Sequence, residues 1–465
     1  MKVMNGPAAS VQSAMRSRCE QGLPSRRTGG FSSASSPLQK HLMMWYPAGI
    51  DFFNADDKWS GHMRVLFLPA PVPSHLFPMV QLAWAFRAAG HEVYVAGPPS
   101  TVADVAGAGL TAVPVGTPYD LMGSIAAAGD IVRRETGEGP SPSGDISQMS
   151  PESFRRFAEL RFSPHVTMAE TMAEDLVAFV RAWKPDLVVT DPITMVAPLA
   201  AGVAGAPLVH HLWGPQPPTL SQFPGYGRDP ATWPADLAGL FERFGVTPRA
   251  QHGVATVDPG PASLQPAEVP NRIPARYQPF NGSGSVPQAI LAAPEKPRVC
   301  LSWVTANTMT DAGPGGHPLR TLIEALSGFD VETVVAVRSG DRDRLGTLPA
   351  NVRAIVDLPL SFVMPTCSAA VNHGGTGTAL TAVYYGVPQL VVPYNPGLGL
   401  NAGVLAKSGA AITVAADPVD PAEVTAAIEQ LLSGTDHRKA AEDLRAENLA
   451  LPALDDVVTT IEEMV

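Results

Sequence analysis

A short run of histidine, glycine and threonine occupies residues 373–378, with the sequence His-Gly-Gly-Thr-Gly-Thr. It follows an apolar run of strand length at 369–372 and opens a predicted helix at 376–385. Glycines let a ligand approach the backbone, and the first amides of a helix lack internal partners and carry partial positive charge. Hydroxyl and imidazole donors flank them, so the run predicts a diphosphate site. A tight turn with a capping threonine is the structural alternative.

A second candidate is His75, in the segment Ser74-His75-Leu76-Phe77-Pro78. It follows a predicted strand at 64–69 and precedes a predicted helix at 78–89, for which Ser74 is a candidate N-cap. The positive end of a helix favours a neutral imidazole, the form that a general base requires. His75 is therefore a candidate base, and a turn or capping residue is the structural alternative.

These candidates need a scaffold that brings strand ends together, and the sequence alternates between strands and helices. Apolar runs of strand length lie at 92–96, 186–190 and 208–211, and then at 298–303, 332–337, 352–356, 389–392 and 411–414. A stretch rich in proline and glycine at 219–294 interrupts the alternation. Two α/β halves with parallel sheets are expected, and open sheets of this kind bind ligands at the carboxyl ends of their strands.

The predicted organisation has five parts. Residues 1–62 lack a hydrophobic period and are interpreted as a disordered N-terminal extension or an overlong start. A first α/β domain is expected at 63–280, a linker at 281–288 and a second α/β domain at 289–440. A helical C-terminal segment at 441–465 completes the chain.

Composition excludes several classes of protein. The chain has 465 residues, of which 45% are hydrophobic and 16% charged, so it is not a disordered chain. A net charge of −11 without a basic stripe argues against a nucleic-acid partner. The most apolar stretch, 187–213, is interrupted by Asp191 and prolines, which argues against a membrane span. Three widely separated cysteines indicate a reducing compartment, and a cytoplasmic location is expected.

Several segments together resemble the antibiotic-type family 1 glycosyltransferases, in particular the subgroup of the spinosyn rhamnosyltransferase and the macrolide deoxysugar transferases. The resemblance is carried by the segments 63–109, 212–215 (Leu-Trp-Gly-Pro), 261–265, 277–284, 373–378 and 388–393. It implies a GT-B fold, which is α/β with two Rossmann-like domains facing across a cleft. It also implies a C-terminal helix that crosses back to the first domain.

The resemblance implies an inverting, metal-independent transferase that needs no cofactor. It would move a deoxysugar from a nucleoside diphosphate sugar, with dTDP as the expected nucleotide, to a hydrophobic aglycone such as a polyketide or macrolide. His75 matches the family's base, and Asp191 is a candidate to orient it or else a turn residue before Pro192. The positions that match the diphosphate and nucleotide site are Ser302, Thr305, Leu358, His373, Gly375, Thr376 and Gly377.

Apolar side chains near the expected cleft are candidates for an acceptor pocket. They are Phe77, Met79, Met122 and Trp213, and ordinary core packing is the alternative for each. A homodimer and an auxiliary activator protein, which some family members require, stay open as partners.

One loop departs from the family pattern, which usually has an Asp-Gln pair that binds sugar hydroxyls. The matching positions are Gly397 and Leu398, and neither side chain can hold a hydroxyl. Three accounts are open: a donor sugar with few hydroxyls, substitution by Asn395 or Asn401, or an altered or lost activity. The last account would make the chain a binding or auxiliary protein.

Two rival patterns are weaker. Residues 397–402 match a dinucleotide-binding pattern with Asp417 downstream, but only about one further strand follows. Because a Rossmann half needs its glycines after its first strand, an NAD-dependent oxidoreductase is a distant alternative. Asp341 and Asp343 resemble a metal-binding pair, but they lie in a charge-rich loop that we interpret as a solvated turn.

Overall fold

The computed structural model describes residues 62–138, 149–303, 318–394, 396–416 and 419–465. The expectations for residues 1–61 and for Thr305, Asn395 and Asp417 lie outside these ranges. The described residues form two sheets, and every pair of neighbouring strands in both sheets is parallel. None of the described helices combines the length and the apolar character that crossing a bilayer requires.

The first sheet has the strand order β3-β2-β1-β4-β5-β6-β7. Its strands are β1 (Arg64–Leu68), β2 (Glu92–Gly97), β3 (Thr111–Pro114), β4 (Leu187–Thr190), β5 (Leu208–His211), β6 (Ala255–Pro259) and β7 (Arg272–Ala275). The helices of this half are α1 (Pro73–Ala88), α2 (Val102–Gly107), α3 (Leu121–Thr136), α4 (Pro151–Leu160), α5 (Ser163–Trp183), α6 (Ala197–Ala204) and α7 (Ala235–Arg243). Alternate side chains of β1 belong to two separate cores, because helices cover both faces of the sheet.

The second sheet has the order β10-β9-β8-β11-β12-β13. Its strands are β8 (Arg298–Ser302), β9 (Glu332–Val337), β10 (Val352–Val356), β11 (Cys367–Asn372), β12 (Gln389–Val391) and β13 (Ala411–Thr413). The helices from the linker onward are α8 (Gln288–Leu291), α9 (Pro318–Ser327), α10 (Leu360–Val363), α11 (Thr376–Tyr385), α12 (Pro396–Lys407), α13 (Pro421–Ser433), α14 (Asp436–Ala450) and α15 (Leu454–Glu462).

The strand orders fix where ligands can bind. In each sheet the first strand is central, the next two strands extend to one edge, and the chain then returns to the middle and extends to the other edge. β1 and β4 are therefore neighbours in the first sheet, and β8 and β11 are neighbours in the second. The connections leaving such a pair run to opposite faces, which opens a crevice at the carboxyl ends of the two strands. Residues that follow β1, β4, β8 and β11 therefore line the expected sites.

The last helix returns to the first domain, as the resemblance implied. Val457, Val458 and Ile461 of α15 are buried in the core of the first sheet, against α1. His91 at the end of α1 accepts a hydrogen bond from Met63 N at Nδ1 (3.0 Å), and its Nε2 lies 2.7 Å from Glu462 Oε1. Apolar burial and this buried polar contact join the C-terminus to the first domain.

The start of α1 differs from the prediction. The helix begins at Pro73 rather than Pro78, so Pro78 lies inside it and His75 lies in its first turn. Val72, not Ser74, is the N-cap, and among the described residues no side chain caps this end. Proline fits helical φ and is well placed at N1, whereas Pro78, in the second turn, cannot donate a hydrogen bond to the Ser74 carbonyl.

The stretch predicted to be irregular contains two strands of the first sheet. The charged residues Asp258 and Arg272 interrupt the apolar pattern of β6 and β7, so the sequence did not predict these strands. In the structure the two side chains form an ion pair between the strands, with Arg272 Nε 2.5 Å from Asp258 Oδ2. Pro274 is tolerated because β7 is an edge strand. The first sheet is consequently larger than the sequence pattern indicated.

Candidate active site in the cleft

His75 and Asp191 meet at the switch point of the first sheet. His75 lies in the first turn of α1, after β1, and Asp191 directly follows β4. His75 Nδ1 lies 3.5 Å from Asp191 Oδ2, within ion-pair range. Catalytic hydrogen bonds are often this long before substrate binds and shorten in the complex. A carboxylate at Nδ1 favours the tautomer whose free lone pair is on Nε2, which is the nitrogen left to accept a proton.

Asp191 is fully buried, and its oxygens are held by the backbone. Oδ2 accepts from Ala70 N (2.6 Å), while Oδ1 accepts from Ile193 N (3.0 Å) and from the Thr194 hydroxyl (3.1 Å). Burial alone would raise the pKa of Asp191, but His75 and these backbone donors outweigh it, and the net pKa is lowered. The side chain thus forms the expected turn before Pro192 and also stays charged beside the imidazole.

Three more histidines surround Asp191 and stay neutral. Burial lowers the pKa of His165 and His211 to about 4 and that of His210 to about 3, although the Asp191 charge acts in the opposite direction. At neutral pH these rings carry no charge. The negative charge of Asp191 is therefore available to a positive charge that develops on His75.

The run at 373–378 forms the predicted turn from β11 into α11. The first helical hydrogen bond runs from Ala379 N to Gly375 O (2.9 Å), so the amides of residues 376–378 have no helical partner. No side chain of the described residues caps this end. The amides, the positive end of the helix and the threonine hydroxyls together suit an anion.

Two glycines in this turn have specific steric reasons. Gly374 has a φ of +88°, and a Cβ there would lie 2.9 Å from the Leu398 carbonyl oxygen. A Cβ on Gly375 would lie 2.6 Å from His373 Nε2, so the imidazole packs flush against the glycine backbone. Larger residues would displace either the turn or the imidazole.

His373 is buried in a cluster of three rings. Its centroid lies 5.6 Å from that of Trp303, which follows β8, and 5.7 Å from that of Tyr394, which follows β12. Burial lowers the pKa of His373 to about 4, although the Ser302 carbonyl acts in the opposite direction. The ring is therefore neutral at pH 7 and can donate one hydrogen bond.

The two halves of the site are joined by the loop after β5. The Trp213 ring lies 4.2 Å from the His75 ring, centroid to centroid. The next residue, Gly214, packs so tightly on the second domain that a Cβ would lie 1.9 Å from Thr376 Cγ2. Since consecutive Cα atoms are about 3.8 Å apart, this loop places His75 and residues 373–378, the predicted diphosphate turn, in one crevice.

A buried polar network holds this loop. Gln265 Oε1 accepts from Gln216 N (2.8 Å), and Gln265 Nε2 donates to Asp258 Oδ1. Gln216 Oε1 in turn accepts from the Tyr226 hydroxyl (2.6 Å). Sequence reasoning used 212–215 and 261–265 as marks of resemblance and, apart from Trp213 as an acceptor candidate, assigned them no role. The signal that could have indicated a role for these segments is their glutamine and tryptophan side chains, which are unusual in featureless loops.

The other predicted site residues occupy varied positions. Ser302 is buried at the end of β8, and its carbonyl group faces His373. Leu358 has its side chain in the core of the second domain, so only its backbone is available to a nucleotide. Met79 is 2% exposed and belongs to the core of the first domain, where the core alternative applies. Phe77 packs on Phe280, just before the linker, with 5.1 Å between the ring centroids.

Of the four acceptor candidates, Trp213 lies beside the base. Met122 is exposed on α3, and its acceptor role stays a prediction. The expectation of a solvated turn was wrong for Asp341, which is buried and lies 3.6 Å from Arg344, whereas Asp343 is exposed.

Gly397 and Leu398 lie in the first turn of α12. Asn401, one turn further on, is buried and directs its amide nitrogen at the diphosphate turn rather than at a sugar. The glycine pattern at 397–402 thus lies within a helix, and only β13 follows β12 in the sheet. This placement contradicts a dinucleotide-binding turn.

Comparisons with known proteins agree with the two-domain fold that forms this cleft. The models of the erythromycin biosynthesis protein CIII-like N-terminal and C-terminal domains match residues 84–303 and 320–464. The chain is 33% identical over 427 residues to the 3-alpha-mycarosylerythronolide B desosaminyl transferase of Saccharopolyspora erythraea, covering 86% of this chain and 98% of the relative. The chain belongs to this family of glycosyltransferases.

Other comparisons support the same assignment for the transferase. It is 36% identical to the L-demethylnoviosyl transferase of Streptomyces niveus, over 84% of this chain and 95% of the relative. The crystal structure of the glycosyltransferase VinC in complex with dTDP matches with a TM-score of 0.69 and 32% identity, over 87% of this chain and 100% of that one. The expected antibiotic-type family and GT-B fold are confirmed.

Proposed function

We propose that this transferase moves a deoxysugar from a thymidine diphosphate sugar to a hydroxyl of a hydrophobic natural-product aglycone, with inversion and without a metal ion. The macrolide substrate in the name of the desosaminyl relative and the dTDP in the VinC structure support the substrate classes. The observation that carries the proposal is that one loop contacts both His75 of the His75–Asp191 pair, through Trp213, and the diphosphate turn, through Gly214.

The reaction needs one proton transfer and one displacement. His75 Nε2 takes the proton of the acceptor hydroxyl as its oxygen bonds to the anomeric carbon. The bond between that carbon and the β-phosphate oxygen breaks at the same time, and dTDP leaves with the electron pair. Because attack is opposite the leaving group, the anomeric configuration inverts.

Asp191 stabilises the base in the transition state. As the proton arrives, the ring becomes an imidazolium whose Nδ1 faces a buried carboxylate that three donors hold in place. A fixed charge in a buried site requires little reorganisation, so its stabilisation of the transition state is large. The neutral rings of His165, His210 and His211 do not compete for this charge.

The diphosphate turn stabilises the leaving group. Charge develops on the β-phosphate oxygens, and the amides of residues 376–378 and the positive end of α11 point at an anion in this position. These donors perform the charge stabilisation that a divalent cation supplies in metal-dependent phosphate chemistry. The helix terminus and the hydroxyls thus support the metal-independent part of the proposal.

The first turn of α12 favours a donor sugar with few hydroxyls. Gly397 and Leu398 offer no polar side chain, and the Asn401 amide nitrogen is already engaged. A buried polar group that lacks a partner is costly, so a sugar rich in hydroxyls would be disfavoured here. A dimer, an auxiliary protein and a cytoplasmic location stay predictions.

A nucleotide panel followed by product analysis tests the proposal. The melting temperature should rise with dTDP and less with UDP or GDP, because a ligand that binds only the folded state stabilises it. Transfer from dTDP-deoxysugars to macrolide and anthracycline aglycones should survive chelation by EDTA, with an inverted anomeric centre in the product. A shift with NAD and none with any nucleoside diphosphate would overturn the proposal.

A further inference from the structure

Asn401 of α12 contacts the diphosphate turn at two points. Its Nδ2 donates to the Gly374 carbonyl oxygen (2.8 Å) and to the Thr376 hydroxyl oxygen (2.9 Å). The residue is only 7% exposed, so these are protein contacts rather than surface ones. An amide NH2 has two hydrogens, and both are used here.

The bond to Thr376 determines how its hydroxyl can act. An oxygen that accepts a hydrogen bond from Asn401 keeps its own hydrogen for another acceptor. On the other side, the methyl group of Thr376 packs against Gly214, where a Cβ would lie 1.9 Å away. Contacts on both sides therefore fix the side chain and leave the hydroxyl as a donor.

Gly374 is also held, through both its N–H group and its carbonyl group. Its N–H donates to Asn372 Oδ1 (2.8 Å), and its carbonyl accepts from Asn401. Asn372 is itself held, because its Nδ2 donates to Gln389 Oε1 (3.0 Å). This arrangement maintains the positive φ of Gly374 and directs its carbonyl oxygen at the Asn401 amide.

We propose that Asn401 is a positioning residue for diphosphate binding, which turns the Thr376 hydroxyl into a hydrogen-bond donor and keeps the Gly374 carbonyl away from the phosphates. The inference rests on the proposed function only for the identity of the nucleotide. It requires that the turn bind a diphosphate, whatever group that diphosphate carries.

The test compares Asn401→Asp with Asn401→Ala by calorimetry, using dTDP, thymidine and inorganic pyrophosphate as probes. Asp has the same shape but cannot donate, so the Thr376 hydroxyl turns its hydrogen toward the carboxylate and its lone pairs toward the phosphates. We expect Asn401→Ala to raise the Kd for dTDP and pyrophosphate about tenfold, and Asn401→Asp to raise it more. The Kd for thymidine should not change.

A double-mutant cycle with Thr376→Val separates positioning from a general packing role. Without the hydroxyl there is nothing to orient, so the Asn401→Asp penalty should shrink in the Thr376→Val background. Asn351→Ala is the matched control, because Asn351 Nδ2 also donates to two carbonyls of the second domain, those of Leu326 and Phe329. Asn351→Ala should leave the Kd values for dTDP and for pyrophosphate unchanged.

The outcomes separate the two claims. If wild-type protein binds dTDP and both Asn401 variants bind it with the wild-type Kd, the inference is wrong and the proposed function stands. Equal losses for thymidine and dTDP would also overturn it, since they indicate a structural role. If wild-type protein binds pyrophosphate but not dTDP, the nucleotide in the proposed function is wrong and the pyrophosphate arm still decides the inference. Binding of neither probe overturns both.

Discussion

Asp191 is a fully buried carboxylate that its surroundings keep charged. In the proposed reaction its contribution is the charge, since its hydrogen bonds from Ala70 N and Ile193 N would exist in a simple turn as well. Asn has almost the same shape but no charge, so Asp191→Asn removes the charge together with one of the two oxygens that accept from Ala70 N and Ile193 N. We expect kcat to fall by about 10²–10⁴-fold while the Kd for dTDP stays the same.

The control for this change is Asp186→Asn. Asp186 lies just before the other end of β4, is exposed, and accepts a hydrogen bond from Arg64 N (2.8 Å). It should retain the wild-type kcat. A wild-type rate for Asp191→Asn, measured at saturating substrates, would show that the carboxylate is only a turn residue.

At this scale the sequence predicted where the candidate residues lie better than how they are held. His75 and the glycine turn at 373–378 were candidates because each follows an apolar run and precedes a helix. The roles of Gly214 and Asn401 could not be predicted, because they depend on contacts between segments far apart in the chain. Met79 and Leu358 show the converse, since a suitable residue type does not reveal which way a side chain points.

The loop after β5 is the element that couples the two domains at the site. Gly214→Ala should lower kcat/KM by at least about tenfold, because its Cβ would meet the methyl group of Thr376 and the φ of +154° suits glycine. Thr376→Ser removes that methyl and keeps the hydroxyl. The double variant should therefore recover part of the activity that Gly214→Ala loses.

Gly239→Ala controls for the added methyl group. Gly239 lies in α7, and a Cβ there would meet nothing within 4 Å. It should retain activity and gain up to about 1 kcal/mol of stability from better helix propensity. Purely additive losses for Gly214→Ala and Thr376→Ser would mean that the loop does not abut the diphosphate helix.

Elements were predictable where apolar periodicity was uninterrupted. The strands β5, β9 and β10 have the predicted bounds, because each contains an apolar run of strand length between turn-forming segments. The pattern failed at β6 and β7, where a buried ion pair replaces apolar residues. It also failed at the start of α1, where two prolines are compatible with the helix and only one of them begins it.

Buried neutral histidines make the whole molecule sensitive to acid. Burial lowers the pKa of His165, His211, His252 and His373 to about 4 and that of His210 to about 3, all below the ordinary value of 6.5. Between these values the unfolded chain binds protons that the folded chain does not. The free energy of unfolding must therefore fall as the pH falls below about 6.5.

The melting temperature measured from pH 7.5 to pH 5.5 tests this effect above the range where carboxylates titrate. Each such histidine contributes a slope of about 1.4 kcal/mol per pH unit when its unfolded form is fully protonated. His252→Gln removes one of these groups, so its slope should be shallower than that of wild-type protein. An identical slope, or greater stability at pH 5.5, would contradict the neutral burial of these rings.

In the proposed reaction, the transfer of a proton to the first domain coincides with departure of the diphosphate on the side of the second domain. The most direct test is the transfer rate of His75→Ala at saturating donor and acceptor, measured together with its Kd for dTDP. The account predicts a rate about a thousandfold or more below wild type with an unchanged Kd. A variant that transfers the sugar at the wild-type rate would contradict it.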